Sequence, residues 1–361
     1  MAAPSPERVR EALRAVLFPN FRRDIVTLGM VTDVRVEGGT VHVHLRPGTD
    51  KPETLAQLTA RVRAAVTAAV PDVAAVEVHV APAAEGRGRD PFAARAALPG
   101  VDHVLAVASA KGGVGKSTVA ANLAVALAEL AGGAGLLDAD VYGPSVPLMF
   151  GTDARPSAAS DRRIRPVERY GVKLMSMGFF LDERSPVIWR GPIVMGIVRQ
   201  FLRDVDWGPI RFLVVDLPPG TGDAALTLVQ QVPVTAGVIV TTPQDVALLD
   251  VGRGMAMFAQ VHTPVAGVVE NMSGYVCPEC GTVDPIFGSG GAAGLAARFG
   301  VPLLAQIPLE PAVRRAGDAG RPIVLADPEH PASRAFRELA RQVAAAAERL
   351  AAAPLAGAAG R

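Results

Sequence analysis

The segment Lys111–Thr118 constrains the fold of this chain more than any other stretch. It reads Lys-Gly-Gly-Val-Gly-Lys-Ser-Thr and lies between an apolar run, residues 104–109, and a segment with helical spacing of apolar residues, 119–130. A glycine-rich loop between a strand and a helix is the arrangement that wraps the phosphates of a nucleotide. The sequence therefore predicts that the chain binds a nucleotide triphosphate.

The residue types within this loop predict different contacts with ATP and Mg²⁺. Glycines allow the tight turn that points backbone N–H groups at phosphate oxygens. Lys116 is predicted to donate to the terminal phosphates, and Ser117 to offer its hydroxyl to Mg²⁺. The predicted nucleotide-binding residues of the loop are Gly112, Gly113, Val114, Gly115, Lys116, Ser117 and Thr118.

Carboxylates follow two other apolar runs. Asp138 and Asp140 end the first run, and Asp216 ends the run that begins at Phe212. A carboxylate at the end of such a strand is the arrangement that presents an oxygen near the Mg²⁺ hydration shell. The Pro-Gly loop after Asp216 is predicted to contact the γ-phosphate through the N–H of Gly220 and to move after hydrolysis.

Bulk composition predicts partners other than nucleic acid or membrane. The 361 residues carry a formal charge of +1, and no run of 18 apolar residues occurs. No electrostatic attraction to nucleic acid or anionic lipid is therefore expected, and no signal or spanning segment is evident. The sequence predicts a soluble, cytoplasmic protein.

The alternation of elements predicts two domains. Residues 1–82 read as helix (Pro6 to Phe18), two-strand hairpin, helix and strand, which predicts a small α+β domain. Residues 83–100 read as a linker, residues 101–350 as an α/β domain, and residues 351–361 as a flexible tail. In the larger domain, strands alternating with helices predict a mostly parallel sheet covered on both faces.

The only two cysteines of the chain, Cys277 and Cys280, lie in one Cys-Pro-Glu-Cys segment. Two thiolates cannot complete a four-sulfur site, so a stable metal site requires outside ligands or the same pair from a second copy. Four cysteines suit zinc or a 4Fe-4S cluster equally well. A redox disulfide and an inert turn remain further interpretations.

The loop resembles the deviant phosphate loop of the nitrogenase-reductase and MinD-like ATPases, because Lys111 occupies its second position after Ala110. In those proteins the first lysine reaches the nucleotide of a partner subunit, which implies an ATP-dependent homodimer. The resemblance also implies that Lys111 and Lys116 are catalytic and that Asp140 orients the attacking water. It further implies that Asp138 supports the metal site and that Asn271 contacts the adenine.

Residues from about 101 to 330 resemble the Mrp/ApbC iron-sulfur carrier ATPases. The resemblance rests on Asp138–Ser145, Asp216–Asp223, Glu270–Ser273, the cysteine pair, Ile307–Leu309 and Ala316–Pro322. It implies a 4Fe-4S cluster held between two subunits, passage to apo iron-sulfur proteins, an upstream cluster scaffold and slow, regulatory ATP hydrolysis. The alternatives are a MinD/ParA-like spatial regulator and a zinc-bridged nucleotide-binding dimer.

The first domain resembles the small SufT-type domain of iron-sulfur assembly factors, on the stretch Asp24–Val31. That domain usually contains an acidic Asp-Pro-Glu turn and a cysteine, whereas here the turn reads Phe18-Pro19-Asn20 and residues 1–82 contain no cysteine. The sequence therefore argues against direct metal handling by this domain.

Overall fold

A computed structural model of the chain describes residues 5–352, except 18–23, 27–29, 38, 46–51, 71–72, 81–96, 142, 159–162, 181–190, 221–224, 226–228, 230–233 and 278. The chain divides into two compact units, residues 1–90 and 91–361. Most of the predicted linker and of the predicted tail lies outside the described residues, as does part of the loop after Asp216.

The first unit is the predicted α+β domain. Its described elements are α1 (Pro6–Leu13), β1 (Val31–Glu37), β2 (Thr40–Leu45), α2 (Pro52–Ala69) and β3 (Ala75–Val80). The central strand β2 pairs antiparallel with β1 and parallel with β3. Valine and leucine side chains from one face of this sheet and from the two helices form a separate core that includes Val43, Leu58 and Val62.

Helix α1 is shorter than the sequence predicts. Its start is well defined, because the Ser5 side chain accepts a hydrogen bond from the N–H of Arg8 and Pro6 occupies the first turn. The helix ends at Leu13 rather than Phe18, and the chain has already left the helix at Leu17, which pairs with Asp24 in an isolated antiparallel bridge.

The second unit contains strands and helices in alternation. The described strands are β4 (Val101–Ala108), β5 (Ala134–Asp138), β6 (Ser157–Ala158), β7 (Ile164–Arg165), β8 (Val167–Arg169), β9 (Val172–Ser176), β10 (Ile210–Asp216), β11 (Ala236–Thr241), β12 (Val265–Asn271), β13 (Tyr275–Val276), β14 (Val283–Asp284) and β15 (Leu303–Ile307). The described helices are α3 (Lys116–Ala131), α4 (Val146–Met149), α5 (Gly191–Arg203), α6 (Asp245–Gln260), α7 (Gly291–Phe299), α8 (Pro311–Asp318), α9 (Ile323–Ala326) and α10 (Pro331–Ala352), with a 3₁₀ turn at Met177–Phe179.

Eight of these strands form one sheet in the order β15-β12-β11-β4-β10-β5-β9-β8. All neighbours run parallel except the edge strand β8, which is antiparallel to β9. The central strands are buried on both faces, as their continuous apolar runs predict. The predicted α/β class, with a mostly parallel sheet and helices on both faces, is confirmed.

The two faces of the large sheet carry separate cores. Along β10, Val214 belongs to the core that α3 and α10 cover, while Leu213 belongs to the core that α5 and α6 cover. Successive strand residues point to opposite faces, which explains the division. Leu98 packs into the second of these cores and its carbonyl accepts from the N–H of Val101. The large unit therefore begins before residue 101, within the predicted linker.

None of the helices in the described part of the chain combines the length and the apolar character needed to cross a bilayer.

Candidate functional site

The predicted phosphate loop and the two predicted carboxylate strands meet at the carboxyl edge of the large sheet. Strand β10 lies between β4 and β5, and Asp216 is level with Val107 on one side and with Asp138 on the other. Strand β4 ends at Ala108, and the loop follows directly. The register of these parallel strands thus brings the loop, Asp138 and Asp216 together, although Lys116 and Asp216 are 100 residues apart in the sequence.

The loop has the backbone shape that its glycines predict. Gly113 and Gly115 have positive φ angles of 83° and 79°. Position 115 excludes any larger residue for a second reason besides its positive φ, because a Cβ there would lie 2.3 Å from Nδ2 of Asn271. Helix α3 begins at the next residue, and no side chain caps its N-terminus. The first N–H groups of a 16-residue helix are thus presented toward the loop, where an anion is stabilised.

Lys116 and Asp216 form a buried ion pair at the centre of this site. The Nζ of Lys116 donates to Oδ1 of Asp216 at 2.5 Å, and the two side chains are 6% and 0% exposed. The second oxygen of Asp216, Oδ2, is buried without a hydrogen-bond partner among the described residues. The Asp216 side chain thus has one oxygen that is unpartnered within the described part of the chain, and it also interacts with the hydroxyl of Ser117. Together these oxygens match the ligands that Mg²⁺ requires.

The carboxylate of Asp138 accepts several hydrogen bonds, and most of them come from the segment that follows β5. Its Oδ2 accepts from the hydroxyl of Ser176 at 2.9 Å and from the N–H groups of Ser145 and Val146 at 3.1 and 3.3 Å. Its Oδ1 accepts from the N–H of Asp140 at 3.1 Å. Asp138 therefore anchors the segment that carries Asp140.

Asp140 is less buried than Asp138 and lies at the opening of the site. Its Oδ1 accepts from the N–H of Gly143 at 3.3 Å, and its charge acts on Asp216. This position, beside the loop and open to water, is compatible with the predicted role in orienting a water molecule.

Burial, followed by the neighbouring charge of Asp216, raises the pKa of Asp138 to about 7, while the Ser176 hydroxyl opposes the rise. Burial also raises the pKa of Asp216, against the opposing charge of Lys116. Two carboxyl groups with raised pKa values, beside one lysine, make a site that accepts further positive charge.

The nucleotide-free protein is expected to lose stability as the pH rises from about 6 to about 8. Unfolded Asp138 is ionised throughout this range, whereas the folded protein holds a proton there until the pH passes about 7. The free energy of unfolding falls with rising pH as long as the folded protein holds this extra proton, and it levels off once the proton is lost. The expected decrease between pH 6 and pH 8 is about 1 kcal/mol. Urea unfolding of wild type and Asp138→Asn at both pH values measures the difference.

In that experiment Asp138→Asn should show a pH slope smaller by this amount, because the amide does not titrate. Asp153→Asn, which replaces an exposed carboxylate, should keep the wild-type slope. Identical slopes in all three proteins would mean that Asp138 does not titrate near neutral pH.

Asn271 lies against the phosphate loop at the end of β12. Its side-chain amide donates to the carbonyl of Val114 at 2.9 Å, and the next residue, Met272, has a positive φ of 58°. Beside it lies a cavity of about 270 Å³ that extends from Gly115 and Thr118 to the chain after β15. The cavity is lined mainly by apolar groups, among them Leu148, Met149, Met272, Pro308, Leu309 and Val313. An apolar slot that adjoins a phosphate loop and is lined by the side-chain amides of Asn122 and Asn271 fits a nucleotide base.

Lys111 and Gly220 lie at the rim of the site. Lys111 is exposed and lines a smaller cavity with Gly112, Gly113 and Phe287. The N–H of Gly220 donates to the carbonyl of Ser109 at 2.9 Å, with φ of 90°. The contact predicted between this N–H and a γ-phosphate would thus require the loop to leave Ser109.

Cys277 and Cys280 lie on a short hairpin of the strands β13 and β14. The N–H of Cys277 donates to the carbonyl of Thr282, and the N–H of Gly281 donates to the carbonyl of Cys277, both at 2.9 Å. Both cysteines are free, and Cys280 is exposed. The hairpin therefore presents both thiols on one turn at the surface of this unit.

The surroundings of Cys280 favour the thiolate form of its side chain. Its Sγ is hydrogen-bonded to the hydroxyl of Thr282, with 3.2 Å between the two atoms. This hydrogen bond, followed by that from the Thr282 backbone and by one with Cys277, lowers the pKa of Cys280. The thiolate is the form that binds a soft metal.

The sequence predicts the residues of the loop, the three aspartates and the cysteines as site residues, but it does not predict Ser176 or the apolar slot. Ser176 ends β9 and reaches Asp138 only through the register of β5 and β9. In the segment Ile307–Leu309, for which the sequence gives only a family resemblance, Pro308 and Leu309 line part of the slot. Met272 carries no sequence signal beyond its position after Asn271.

The fold and these sites define a class: a P-loop NTPase that carries a surface hairpin with two cysteines. Residues 100–344 match the model of the family described as NUBPL iron-transfer P-loop NTPase. Residues 6–80 match the family described as iron-sulfur cluster assembly protein.

Curated relatives agree with this class. The chain is 46% identical to an iron-sulfur cluster carrier protein of Deinococcus radiodurans over 334 residues, 92% of this chain and 93% of the relative. It is 43% identical to a protein of the same name from Synechocystis, over 94% and 96% of the two chains. The chain therefore belongs to the NUBPL iron-transfer P-loop NTPase family.

Solved structures support the fold of the second unit. A nucleotide-binding protein of Archaeoglobus fulgidus, solved in complex with ADP, is 38% identical and superposes with a TM-score of 0.56, covering 64% of this chain and 91% of that one. The cell division ATPase MinD of Pyrococcus furiosus is 24% identical with a TM-score of 0.50, covering 67% and 98%, and shares the fold.

Proposed function

We propose that this protein is an ATP-hydrolysing carrier of iron-sulfur clusters, which holds a 4Fe-4S cluster between two copies of the chain and delivers it to apoproteins. The observation that carries the proposal is the surface hairpin with Cys277 and Cys280, which follows directly on the strand whose end contacts the phosphate loop. The relatives named as iron-sulfur cluster carrier proteins support it. An upstream scaffold would supply the cluster.

Nucleotide binding in this proposal follows from the geometry of the loop. The N–H groups of Gly112 to Thr118 and the start of α3 would bind the phosphates, and the base would enter the slot beside Asn271. Lys116 would contact the terminal phosphates and exchange part of its pairing with Asp216 for them. Mg²⁺, which supplies Lewis acidity when bound, would be held by Ser117 and approached by Asp216.

A short path joins the two sites. Asn271 contacts the carbonyl of Val114, and only six residues later Cys277 begins the turn of the hairpin. A nucleotide that moves Val114 would therefore displace the end of β12 and, with it, the hairpin. Loss of the γ-phosphate would in this way alter the spacing of the thiolates and the affinity for the cluster. Hydrolysis would be slow and regulatory.

One chain supplies two thiolates, and a second copy would complete the four that a 4Fe-4S cluster needs. Two large apolar side chains, Val283 in the hairpin and Ile286 just after it, are 61% and 52% exposed. Apolar groups exposed in one chain are often covered in an assembly. Both observations support a two-fold homodimer with the hairpins at its axis.

Lys111→Ala is expected to weaken ATP-dependent dimerisation while each chain still binds nucleotide. The lysine is exposed at the rim of the loop, where it would reach the phosphates of the partner's nucleotide. A charged hydrogen bond of this kind contributes about 1.5–3 kcal/mol, and the two-fold dimer loses two of them, so the dimer dissociation constant should rise about a hundred- to ten-thousandfold. Analytical ultracentrifugation with and without Mg-ATP, on protein without cluster, measures it.

Arg155→Ala, which removes an exposed cation elsewhere on the same unit, should dimerise like wild type. Equal dimerisation of Lys111→Ala and wild type would show that Lys111 acts within its own subunit.

The proposed function is tested by cluster transfer. Reconstituted protein is mixed anaerobically with the apo form of a 4Fe-4S enzyme, with and without Mg-ATP, and the recovery of enzyme activity is followed. Transfer should depend on nucleotide and on Cys277 and Cys280. Stoichiometric zinc and no iron in the anaerobically isolated protein would instead favour the zinc-bridged dimer.

A further inference from the structure

The outer face of the small sheet in the first unit gathers imidazole and carboxylate groups. Strands β2 and β3 run parallel, and their register places His42 level with Glu77 and His44 level with His79. Residues two apart on a strand point to the same face, so all four side chains share it. The alternate residues Val41 and Val43 are fully buried in the core of this unit. The histidines thus lie on the outer face of a sheet whose other face packs on that core.

Three potential ligand atoms converge on this face. Nδ1 of His42 lies 3.2 Å from Nε2 of His79 and 3.2 Å from Oε2 of Glu77. Nε2 of His79 lies 3.6 Å from the same carboxylate oxygen. The side chains of His42, Glu77 and His79 are 25%, 56% and 46% exposed, so the group is open to ions from solution.

The spacing of these atoms fits a metal ion. Nitrogen and oxygen ligands lie about 2.0–2.2 Å from a tetrahedral zinc-like ion, which places neighbouring ligand atoms about 3.3 Å apart. The three observed distances lie close to this value. Little movement of the side chains would therefore be needed to bind an ion.

Neighbouring side chains hold the group in place. The ring of His44 stacks on that of His79, with 4.7 Å between centroids and 19° between planes. On the adjacent strand β1, Arg35 is level with His42, and its guanidinium is paired with Asp33 at 2.7 Å. The nearest cation on that strand is thus neutralised and does not repel a bound ion.

We propose that His42, Glu77 and His79 form a binding site for a divalent first-row transition-metal ion. Two imidazoles and one carboxylate suit Fe²⁺, Co²⁺, Ni²⁺ or Zn²⁺ rather than Ca²⁺ or Mg²⁺, which prefer all-oxygen sites. Three protein ligands leave a coordination position for water or for another donor. The sequence-based expectation that this domain does not handle metal rested on its lack of a cysteine and of an acidic turn, whereas this site uses other nitrogen and oxygen ligands.

The site is independent of the proposed cluster site, and the test separates the two. Full-length protein without a polyhistidine tag, carrying Cys277→Ser and Cys280→Ser, is titrated with Co²⁺, and the visible absorption bands of the bound ion are followed. His79→Gln and Glu77→Gln are introduced into this background. His262→Gln, which replaces an exposed histidine of the second unit, is the matched control.

We expect one Co²⁺ per chain in the background protein and in the His262→Gln control. Loss of a residue that merely supports a metal ligand costs about 10- to 100-fold in affinity, so loss of a ligand should cost at least as much. Thermal unfolding of the apo variants checks that the small domain is intact, and His42→Gln replaces either variant that proves unstable. Competition with Zn²⁺ should displace the cobalt spectrum.

Equal Co²⁺ affinity in the background, His79→Gln and Glu77→Gln proteins would overturn the proposal. So would the absence of stoichiometric binding, which would mean that the three groups form only a hydrogen-bonded surface network. A loss in the His262→Gln control as large as that in the other variants would also overturn it.

Discussion

Replacing Cys277 and Cys280 with serine is expected to abolish the incorporation of iron and sulfide. Wild type reconstituted anaerobically should hold about four irons and about four sulfides per dimer, because four thiolates from two chains complete the cluster. Serine hydroxyls are poor ligands for this soft centre. Iron and sulfide analysis, together with the visible absorption of the cluster, measures the loss.

Two substitutions in the same hairpin serve as controls for this experiment. Glu279→Gln changes the turn between the cysteines without removing a sulfur, and Thr282→Val removes the hydroxyl that contacts Cys280. Both should retain the full iron content under mildly alkaline conditions. Iron that stays bound in the double serine variant would locate the cluster ligands elsewhere and would contradict the carrier function.

The order of elements in both units follows from short-range patterns. Residues 75–80 alternate in polarity, and they form the predicted strand β3. The run from Phe212 to Asp216 lies within β10 as predicted. Such patterns are local, since they depend only on which faces of a helix or strand are buried. Element ends are less well determined, as the early end of α1 at Leu13 shows.

Contacts that depend on register between distant strands could not be predicted. Ser176 reaches Asp138 only because β9 lies next to β5 with these residues level. The convergence of His42 with Glu77 likewise requires that β3 run parallel to β2 in one particular register. Nothing in either segment by itself specifies its neighbour. Family resemblance supplied Asn271, but its contact with Val114 emerged only in three dimensions.

Lys116→Ala is expected to abolish ATP turnover and also to destabilise the nucleotide-free protein. The lysine is the cation that the structure places against Asp216, a carboxylate with no exposed surface beside the equally buried Asp138. Removing one partner of a buried ion pair costs about 3–5 kcal/mol, because the remaining charge is uncompensated. Part of this cost will be met by protonation of Asp216, whose pKa should rise further once Lys116 is gone.

The double variant Lys116→Ala/Asp216→Asn separates the structural role of the lysine from its catalytic role. Neutralising Asp216 removes the uncompensated charge, so most of the lost unfolding free energy should return. ATP turnover should remain absent, since the donor to the terminal phosphates and the carboxylate near Mg²⁺ are both missing. Urea unfolding and phosphate release, measured on wild type, both single variants and the double variant, complete the cycle.

If Lys116→Ala were as stable as wild type, the ion pair would contribute little to folding, and the lysine would be retained for nucleotide chemistry alone. If instead the double variant recovered ATP turnover together with stability, the lost activity of the single variant would reflect unfolding, and Lys116 would have no direct role at the phosphates.

The expected result, stability restored without turnover, requires one lysine to serve two partners. Its charge balances that of Asp216 when no nucleotide is bound, and it contacts the phosphates when nucleotide is bound. Val114, whose carbonyl accepts from Asn271 at the end of β12, lies in the same loop as Lys116. This exchange of partners by Lys116 is therefore the event that would transmit the nucleotide state toward the cysteine hairpin.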